Sequence, residues 1–443
     1  MWTQGWTIWS NAQRSRRIVT DAPLDRSYRA LLTVPSLSRV VGSMGIARVA
    51  QGMLSVALVL FTLREYGSAE LAGIVTFATT FPSIVVSPIA GVLLDRHGRT
   101  RLIILDYLVA LLGLVAIGAL TMAHLLAPWL FVLIATLTSI TGILSAVGLR
   151  SLFPIIVPEH LWERANALDS NGYVLAQLLG PPIAATLVAV LGGPAALVII
   201  GLAYGGAALA LIGIDEPQTV VTATGRLLDD AWQGLRYVWH NATLRGLGFA
   251  IAVLNLSGGV TTIVVPLLVL RQLGAGEAAV GLVFAMSGLS GLVSALLSGR
   301  IDSRGREWAM LVFPTIGMGM AIALMLPVAG SPSAGQPGAI DPALGFALIG
   351  GSLLLFGLLN GPLDIALFTV RQRRTDPSWM GRAFAISMGV NFTGVPIGAV
   401  LTGVIAERSL TGSIVLGVIA CLASAVLAAS LIPMSEAGAR ATV

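Results

Sequence analysis

Residues 91–103 read GVLLDRHGRTRLI and lie between two long apolar segments. Only 11% of the 443 residues are charged, yet this stretch contains five chargeable residues: Asp95, Arg96, His97, Arg99 and Arg101. The flanking segments, near 71–94 and 102–123, are each long enough to cross roughly 30 Å of hydrocarbon as a helix. A charged turn between two such segments predicts a hairpin of membrane-spanning helices.

Apolar segments of similar length recur along the whole chain. The mean hydropathy is +0.89, and 56% of the residues are hydrophobic. They predict an all-α polytopic membrane protein, because a helix satisfies its own backbone hydrogen bonds in hydrocarbon. Twelve spans are predicted, near 40–62, 71–94, 102–123, 128–149, 171–191, 194–214, 246–269, 278–298, 308–329, 343–368, 383–405 and 411–432. An even number of spans places both chain ends on one side of the membrane.

Arginine is distributed unevenly between the two sides of the membrane. All 26 basic residues are Arg, and 22 of them lie in cytoplasmic segments if the termini are cytoplasmic. Only Arg64, Arg271 and Arg408 fall in the loops on the other side, while Arg48 falls inside span 1. The positive-inside rule therefore predicts a multi-pass protein of the inner (plasma) membrane with both termini cytoplasmic.

The composition argues against several other classes of protein. A chain without Lys cannot form a phosphate-binding loop of the Gly-Lys-Ser/Thr type, which weighs against an ATP-driven pump. Cys421 is the only cysteine and the four His residues lack ligand spacing, so we expect no disulfide, metal or cofactor. The net charge of +5 follows from the membrane topology and predicts no nucleic-acid partner. We expect a protein that is not an enzyme.

The two halves of the chain repeat each other. LREYGSAE (63–70) matches LRQLGAGE (270–277) at an offset of 207 residues. Further matches follow in order: Asp95, Gly98 and Arg99 with Asp302, Gly305 and Arg306; RANAL (164–168) with RAFAI (382–386); and GPPIAA (180–185) with GVPIGA (394–399). They predict two six-helix bundles related by a pseudo-twofold axis. Parallel repeats of this kind are typical of secondary transporters, whose substrate site lies near the midplane between the halves.

The predicted organisation has five parts. These are a cytoplasmic N-terminal tail (1–35), an N-terminal bundle (36–214), a cytoplasmic linker (215–245), a C-terminal bundle (246–432) and a cytoplasmic C-terminal tail (433–443). The Trp- and Arg-bearing N-terminal tail is either a peripheral membrane segment or a disordered basic tail. In the linker, apolar residues at helical spacing predict an amphipathic helix on the membrane surface: Leu228, Ala231, Trp232, Leu235 and Trp239. A plain linker and a regulatory docking site are the two roles open to it.

Three motifs resemble those of the major facilitator superfamily. The pattern Gly91-x-Leu93-x-Asp95-Arg96-x-Gly98-Arg99 resembles the family's signature loop between helices two and three. AQLLGPPIAA (176–185), with Gly180, Pro181 and Pro182, resembles the helix-five motif of its exporters. The stretch 372–399, QRRTDPSWMGRAFAISMGVNFTGVPIGA, resembles the branch that holds the enterobactin exporter and macrolide efflux proteins. The resemblance covers roughly residues 36–432.

The resemblance implies a gate on the cytoplasmic side. In this superfamily the loop acid, here Asp95, clasps the start of helix eleven, here around Gly381 and Arg382. By repeat symmetry, Asp302 would face the start of helix five near Arg164. The other predicted gating residues are Arg96, Gly98, Arg99, Gly305 and Arg306. The alternative is a basic loop that serves topology alone, with its acid bonded to neighbouring guanidiniums.

Charged and polar residues inside the spans are candidates for the substrate site, because a charge in hydrocarbon is costly and faces a cavity or a partner. The resemblance implies that helices one, four, seven and ten line the central cavity. On this basis Asp364 is a proton-responsive carboxylate, and Arg48 tunes it or binds an anionic group of the substrate. Alternatively, Asp364 is solvated or paired with Arg371, while Asp106 is expected to pair with Arg99 or Arg101.

Polar residues on the same spans extend this candidate site. Asn255 lies at the repeat position of Arg48, 207 residues further on. Gln51, Asn360 and Asn391 are further cavity candidates, although each could equally serve as an interhelical hydrogen-bond partner.

The sequence predicts a secondary active exporter of amphipathic organic compounds of the drug, macrolide or siderophore type. It would work as a monomer in the lipid bilayer, by alternating access. Protons are the expected coupling ion. Gly180-Pro181-Pro182 predicts a bent, tightly packed helix, and its resemblance to the helix-five motif of exporters implies export. Thr138 stands where many proton-coupled exporters of the superfamily carry Arg, which weakens that route of coupling. The alternatives are an uptake carrier, a lysophospholipid flippase, and a membrane enzyme or receptor.

Overall fold

The computed structural model describes residues 28–214, 216, 227–298, 305–376 and 379–433. Twelve helices in these residues are long and apolar enough to cross a membrane. Spans 1 to 6 are Leu37–Tyr66, Ala69–His97, Arg99–Met122, Pro128–Ile156, Trp162–Leu191 and Gly193–Leu211. Spans 7 to 12 are Ala242–Gln272, Glu277–Ser298, Glu307–Ala329, Pro342–Arg373, Met380–Ala406 and Leu410–Leu431. The prediction of a twelve-helix membrane protein is confirmed.

Three spans are not continuous α-helices. Span 7 ends in a π-helical turn at Leu268–Gln272. Span 9 consists of Glu307–Ala323 and Leu326–Ala329, and span 11 consists of Met380–Phe392 and Gly394–Ala406. We call the face where span 1 begins and span 12 ends the Arg-rich face, and the other the opposite face.

The turn within GVLLDRHGRTRLI is a single residue. Gly98 lies between the last residue of span 2, His97, and the first residue of span 3, Arg99. Its φ of 87° lies in the left-handed region, where glycine pays no steric penalty. The charged residues on both sides of it therefore belong to helix ends rather than to a loop.

The helices pack as two six-helix bundles. In the first, span 1 packs against spans 5 and 6, and span 3 packs against spans 4 and 6. In the second, span 7 packs against spans 11 and 12, and span 9 packs against spans 10 and 12. The bundles meet where span 2 contacts span 11 and where span 5 contacts span 8. In the repeat, span 2 corresponds to span 8 and span 11 corresponds to span 5. The two contacts between the bundles are therefore equivalent, as a pseudo-twofold axis requires.

The linker contains a helix, Leu227–His240, that docks on the second bundle. Val238 is buried with Leu244 and Ala383, and the ring of Tyr237 stacks on that of Trp379 with centroids 5.0 Å apart. The apolar side chains of Trp232, Leu235 and Trp239 remain exposed on the helix surface. The predicted N-terminal tail up to residue 27, and the C-terminal tail from residue 434, lie outside the described residues.

Candidate substrate site and gates

Arg48 lies inside the first bundle and not in open hydrocarbon. Its side chain on span 1 is only 5% exposed and forms an ion pair with Asp169 of span 5. A second guanidinium nitrogen donates to the backbone carbonyl of Asp169. The guanidinium carbon also lies 3.6 Å from the centroid of the Tyr173 ring, a cation–π distance. The charge of Arg48 is thus compensated by groups that span 5 provides.

A second arginine joins this pair from span 4. Arg150 Nε lies 3.6 Å from the other carboxylate oxygen of Asp169, and its guanidinium carbon lies 5.0 Å from the Tyr173 centroid. The Arg150 side chain is 62% exposed. We call Arg48, Asp169, Arg150 and Tyr173 the charge network. It carries two guanidiniums for one carboxylate, a formal charge of one positive unit.

Sequence reasoning missed Asp169 and Arg150 as site residues. The apolar segment predicted for the fifth span begins at residue 171, two residues after Asp169. The helix begins at Trp162, and its first two turns carry the acid into the bundle. The RANAL motif directly before Asp169 is a usable signal, because the family resemblance already places the start of helix five near Arg164.

A cavity of about 310 Å³ lies beside the charge network and is lined by the first bundle. Arg48, Gln51 and Tyr173 form part of its wall, together with Asp106. Hydroxyl side chains supply much of the remaining polar lining: Ser55, Thr79, Thr80, Ser83, Thr138, Ser139, Ser145, Tyr107 and Tyr204. Leu54, Leu58 and Ile143 add apolar surface. The mixed lining suits a ligand that has both polar and apolar parts.

Asp106 has a different environment from the expected one. It is almost fully buried in span 3 and lies beside Thr141 and Ser145 of span 4. Arg99, one of its two expected partners, instead donates to Ser151 Oγ at 3.1 Å and to Glu216 Oε1 at 3.2 Å. Arg99 lies at the membrane surface, whereas Asp106 lies seven residues, about two helical turns, further into the span.

The second bundle holds Asn255, Asn391 and Arg371 together. Asn255 Nδ2 donates to the backbone carbonyl of Asn391 at 2.7 Å, which joins span 7 to span 11. With the Asn391 amide oriented by its hydrogen bonds, Oδ1 accepts from Arg371 Nη2 at 2.8 Å and Nδ2 donates to Ser387 O at 3.0 Å. These spans are the repeat partners of spans 1, 4 and 5. The second bundle therefore has two amides and one arginine where the first has the charge network.

Asp364 and Asn360 form a separate pair on span 10. Asn360 Nδ2 donates to Asp364 Oδ2 at 2.7 Å, and both side chains are partly exposed. Arg371, proposed as an alternative partner of Asp364, reaches Met388 and Asn391 in span 11. The structure brings Asp364 together with Asn360, Arg48 together with Gln51 at the cavity, and Asn255 together with Asn391, in three distinct places.

The Gly180-Pro181-Pro182 motif lies at two close helix contacts. A Cβ atom on Gly180 would lie 2.5 Å from the carbonyl carbon of Gly52 in span 1. A Cβ atom on Gly281 in span 8 would lie 2.9 Å from Cα of Pro182. Both prolines lie inside one helix, Trp162–Leu191. The motif thus packs span 5 against a partner in its own bundle and against one in the other bundle.

Several predicted gating residues lie on the Arg-rich face. Arg99 and the backbone N–H of Thr100 both donate to Glu216, the latter at 3.0 Å, so this linker carboxylate caps span 3. Arg96 lies in the last turn of span 2, and Gly305, with φ 73°, and Arg306 precede span 9. The backbones of Asp95, Arg164 and Arg382 lie in helices, but their side chains fall outside the described part, as does all of Asp302. The clasp stays a prediction.

Comparison with known proteins agrees with this architecture. The chain is 35% identical over 409 residues to an uncharacterized MFS-type transporter, y4rN, of Sinorhizobium fredii, covering 92% of this chain and 97% of that protein. It is 25% identical over 376 residues to the enterobactin exporter EntS of Shigella boydii, covering 84% and 86%. It is 20% identical over 371 residues to macrolide efflux protein A of Streptococcus pyogenes, covering 82% and 87%.

A solved structure shares the fold. The chain superposes on a D-xylose–proton symporter with a TM-score of 0.69 at 12% identity, covering 90% of this chain and 98% of that one. The model of the Major Facilitator Superfamily matches residues 40–394. The protein is therefore a membrane transporter rather than an enzyme, and it belongs to the major facilitator superfamily.

Proposed function

We propose that the protein is a secondary active exporter of amphipathic organic compounds of the drug, macrolide or siderophore type. The observation that carries the proposal is the cavity beside Arg48, whose wall combines this buried arginine with Asp106, Gln51, hydroxyl groups and leucines. Such a lining offers hydrogen bonds to the polar part of a ligand and burial to its apolar part. Its volume of about 310 Å³ would accept one portion of a large substrate.

Export is favoured over uptake by two observations. The helix-five motif Gly180-Pro181-Pro182, which resembles that of exporters, lies at close contacts of span 5 with spans 1 and 8, and two relatives are named as efflux or exporter proteins. The alternatives are an uptake carrier and a lysophospholipid flippase of the same fold, which differ from the proposal in direction and cargo. The D-xylose–proton symporter shares the fold alone and does not favour uptake here.

Proton antiport is the proposed source of energy. Asp364 is the proposed proton carrier, because its carboxylate is partly buried and bonds to an amide rather than to a cation. Arg48 is the proposed anchor for a polar or anionic group of the substrate, with Gln51 beside it. Asn255 and Asn391 hold spans 7 and 11 together in this scheme.

The proposed setting is the plasma membrane, with a monomer whose termini are cytoplasmic. The Arg-rich face would then be the cytoplasmic face. Residues 36–214 and 246–432 would be the two moving bundles, joined by the linker 215–245. Its helix would rest on the membrane surface through Trp232, Leu235 and Trp239, which are exposed.

The function is tested in two steps with purified protein. A thermal-shift panel of drugs, siderophores and lysolipids first identifies ligands that stabilise the protein. Proteoliposomes with an imposed pH gradient then measure the flux of each ligand and of protons. We expect ligand movement out of the cytoplasmic compartment coupled to proton entry. Ligand flux without proton flux would contradict antiport, and flux in the opposite direction would identify an uptake carrier.

Asp364→Asn tests the coupling residue in the same assay. We expect pH-driven transport to fall at least tenfold while the thermal shift with ligand is retained, because Asn cannot exchange a proton. Asp341→Asn is the matched control, since this acid caps the start of the same helix and Asn is an equally good cap. Intact proton coupling in Asp364→Asn would remove the role.

A further inference from the structure

The repeated sequences LREYGSAE and LRQLGAGE meet each other across the two bundles. Each covers the end of one span and the start of the next, spans 1 and 2 in the first bundle and spans 7 and 8 in the second, so both lie on the opposite face. Arg64 Nη1 donates to Glu277 Oε1 at the start of span 8, at 2.9 Å. Arg271 Nη2 donates to the backbone carbonyl of Gly67 at 2.5 Å. Arg64 and Arg271 are equivalent positions of the repeat, so each bundle sends the same arginine to the loop of the other.

A carboxylate from the second bundle completes the cap of a helix in the first. Glu407, at the end of span 11, accepts from the backbone N–H groups of Ala69 at 2.5 Å and of Glu70 at 3.3 Å. These are the first two residues of span 2. The N–H of the third, Leu71, donates to the side chain of Ser68. Free N–H groups and the helix dipole both favour an anion at this position. The contact therefore lasts only while the two bundles stay together on this face.

An apolar layer lies directly beneath these polar contacts. It is formed by buried residues of spans 1, 2, 7 and 11: Val59, Leu63, Ala69, Ala72, Ile263, Leu267, Ala399 and Ala406. The small side chains let spans 2 and 11 approach closely, and a Cβ on Gly73 would lie 3.1 Å from the carbonyl carbon of Ala399. The opposite face is thus closed by an apolar seal under a set of reciprocal charged contacts.

We propose that Arg64, Glu277, Arg271 and Glu407 are gating residues that hold the opposite face closed during transport, whichever direction the cargo takes. The apolar layer excludes water but would allow the two bundles to slide against each other. The charged contacts are directional and fix one relative position of the bundles. When that face opens, all three contacts break together, because each joins the two bundles. An exposed ion pair shifts an equilibrium about fivefold at most, so removing one contact loosens the gate without abolishing closure.

The gate is tested by cysteine accessibility in purified, full-length protein. Cys421 is buried and is first replaced by Ala, and Ala72→Cys then reports on the apolar layer. The readout is the rate of labelling by a charged maleimide. We expect Arg64→Glu and Glu277→Arg to label about two- to fivefold faster than the parent, because each reversal brings like charges together. The double variant, which restores the pair in reverse, is expected to return close to the parent rate.

Two controls separate the gate from general charge effects and from misfolding. Arg408→Glu changes a charge on the same face at a residue that forms no ion pair among the described residues, and its labelling should match the parent. If Arg64→Glu does not fold, Arg64→Gln removes the charge more gently and is expected to label about twofold faster. Parent-like rates in both single reversals, or an equal increase in Arg408→Glu, would overturn the proposal.

Discussion

At the scale of single residues, the buried charge of Arg48 dominates the first bundle. A guanidinium removed from water is stable only when a partner and further hydrogen bonds replace its hydration. Asp169 supplies both a carboxylate and a carbonyl, and Tyr173 supplies the face of its ring. Arg150 shares the same carboxylate from the more exposed side. Asp169 is therefore the residue on which the electrostatic balance of the network depends.

Asp169→Asn is expected to destabilise the protein by about 3 kcal/mol, because a buried ion pair that loses one partner leaves an uncompensated charge. The measurement is the midpoint of thermal unfolding in detergent. The double variant Arg48→Met/Asp169→Leu removes both charges and is expected to recover most of that stability but not ligand binding. A double variant that binds ligand normally would show that the network serves only folding.

At the scale of elements, the sequence was sufficient for the helices and insufficient for their ends. Apolar length predicts twelve spans because a helix of about twenty apolar residues crosses the hydrocarbon and satisfies its own backbone hydrogen bonds there. The polar beginning of span 5, from Trp162 to Ser170, has no such signature and lies outside the apolar segment predicted for that span, although the family resemblance places the start of helix five near Arg164. The separation of Asp364 from Arg371 was equally beyond reach, since the direction of each side chain depends on packing. Gly180, in contrast, was predicted to allow a close contact, and it faces Gly52.

Gly180→Val is expected to lower the midpoint of thermal unfolding of the purified protein by several degrees. The new side chain would meet the backbone of Gly52, which cannot move away as a flexible side chain would. Gly206→Ala is the control, because nothing lies within 4 Å of a Cβ at that position in span 6. A Gly180→Val protein as stable as the parent would show that spans 1 and 5 can separate at little cost.

At the scale of the whole molecule, the bundles make their close contacts on one face. Spans 5 and 8 meet at Pro182 and Gly281, and spans 2 and 11 meet at Gly73 and Ala399, all in the halves nearer the opposite face. The charged contacts of Arg64 and Glu277 lie there too. Alternating access requires a second set of contacts that closes the Arg-rich face when this set is broken. The repeated loop acids, Asp95 and Asp302, are in the right segments to provide it.

Asp95→Asn is expected to reduce transport about twofold to thirtyfold while leaving expression unchanged. A carboxylate near a helix N-terminus stabilises the contact by between a few tenths of a kcal/mol and about 2 kcal/mol. Asn has no negative charge, so the variant loses this stabilisation of the closed Arg-rich face. Transport in proteoliposomes is measured against the amount of reconstituted protein. His97→Gln, in the same turn, is the control, because its exposed ring bonds, within the described part of the chain, only to the backbone carbonyl of Leu93 in its own helix. Normal transport by Asp95→Asn would leave the loop with a purely topological role. A variant that also lost expression would instead indicate that Asp95 stabilises the fold through the arginines beside it.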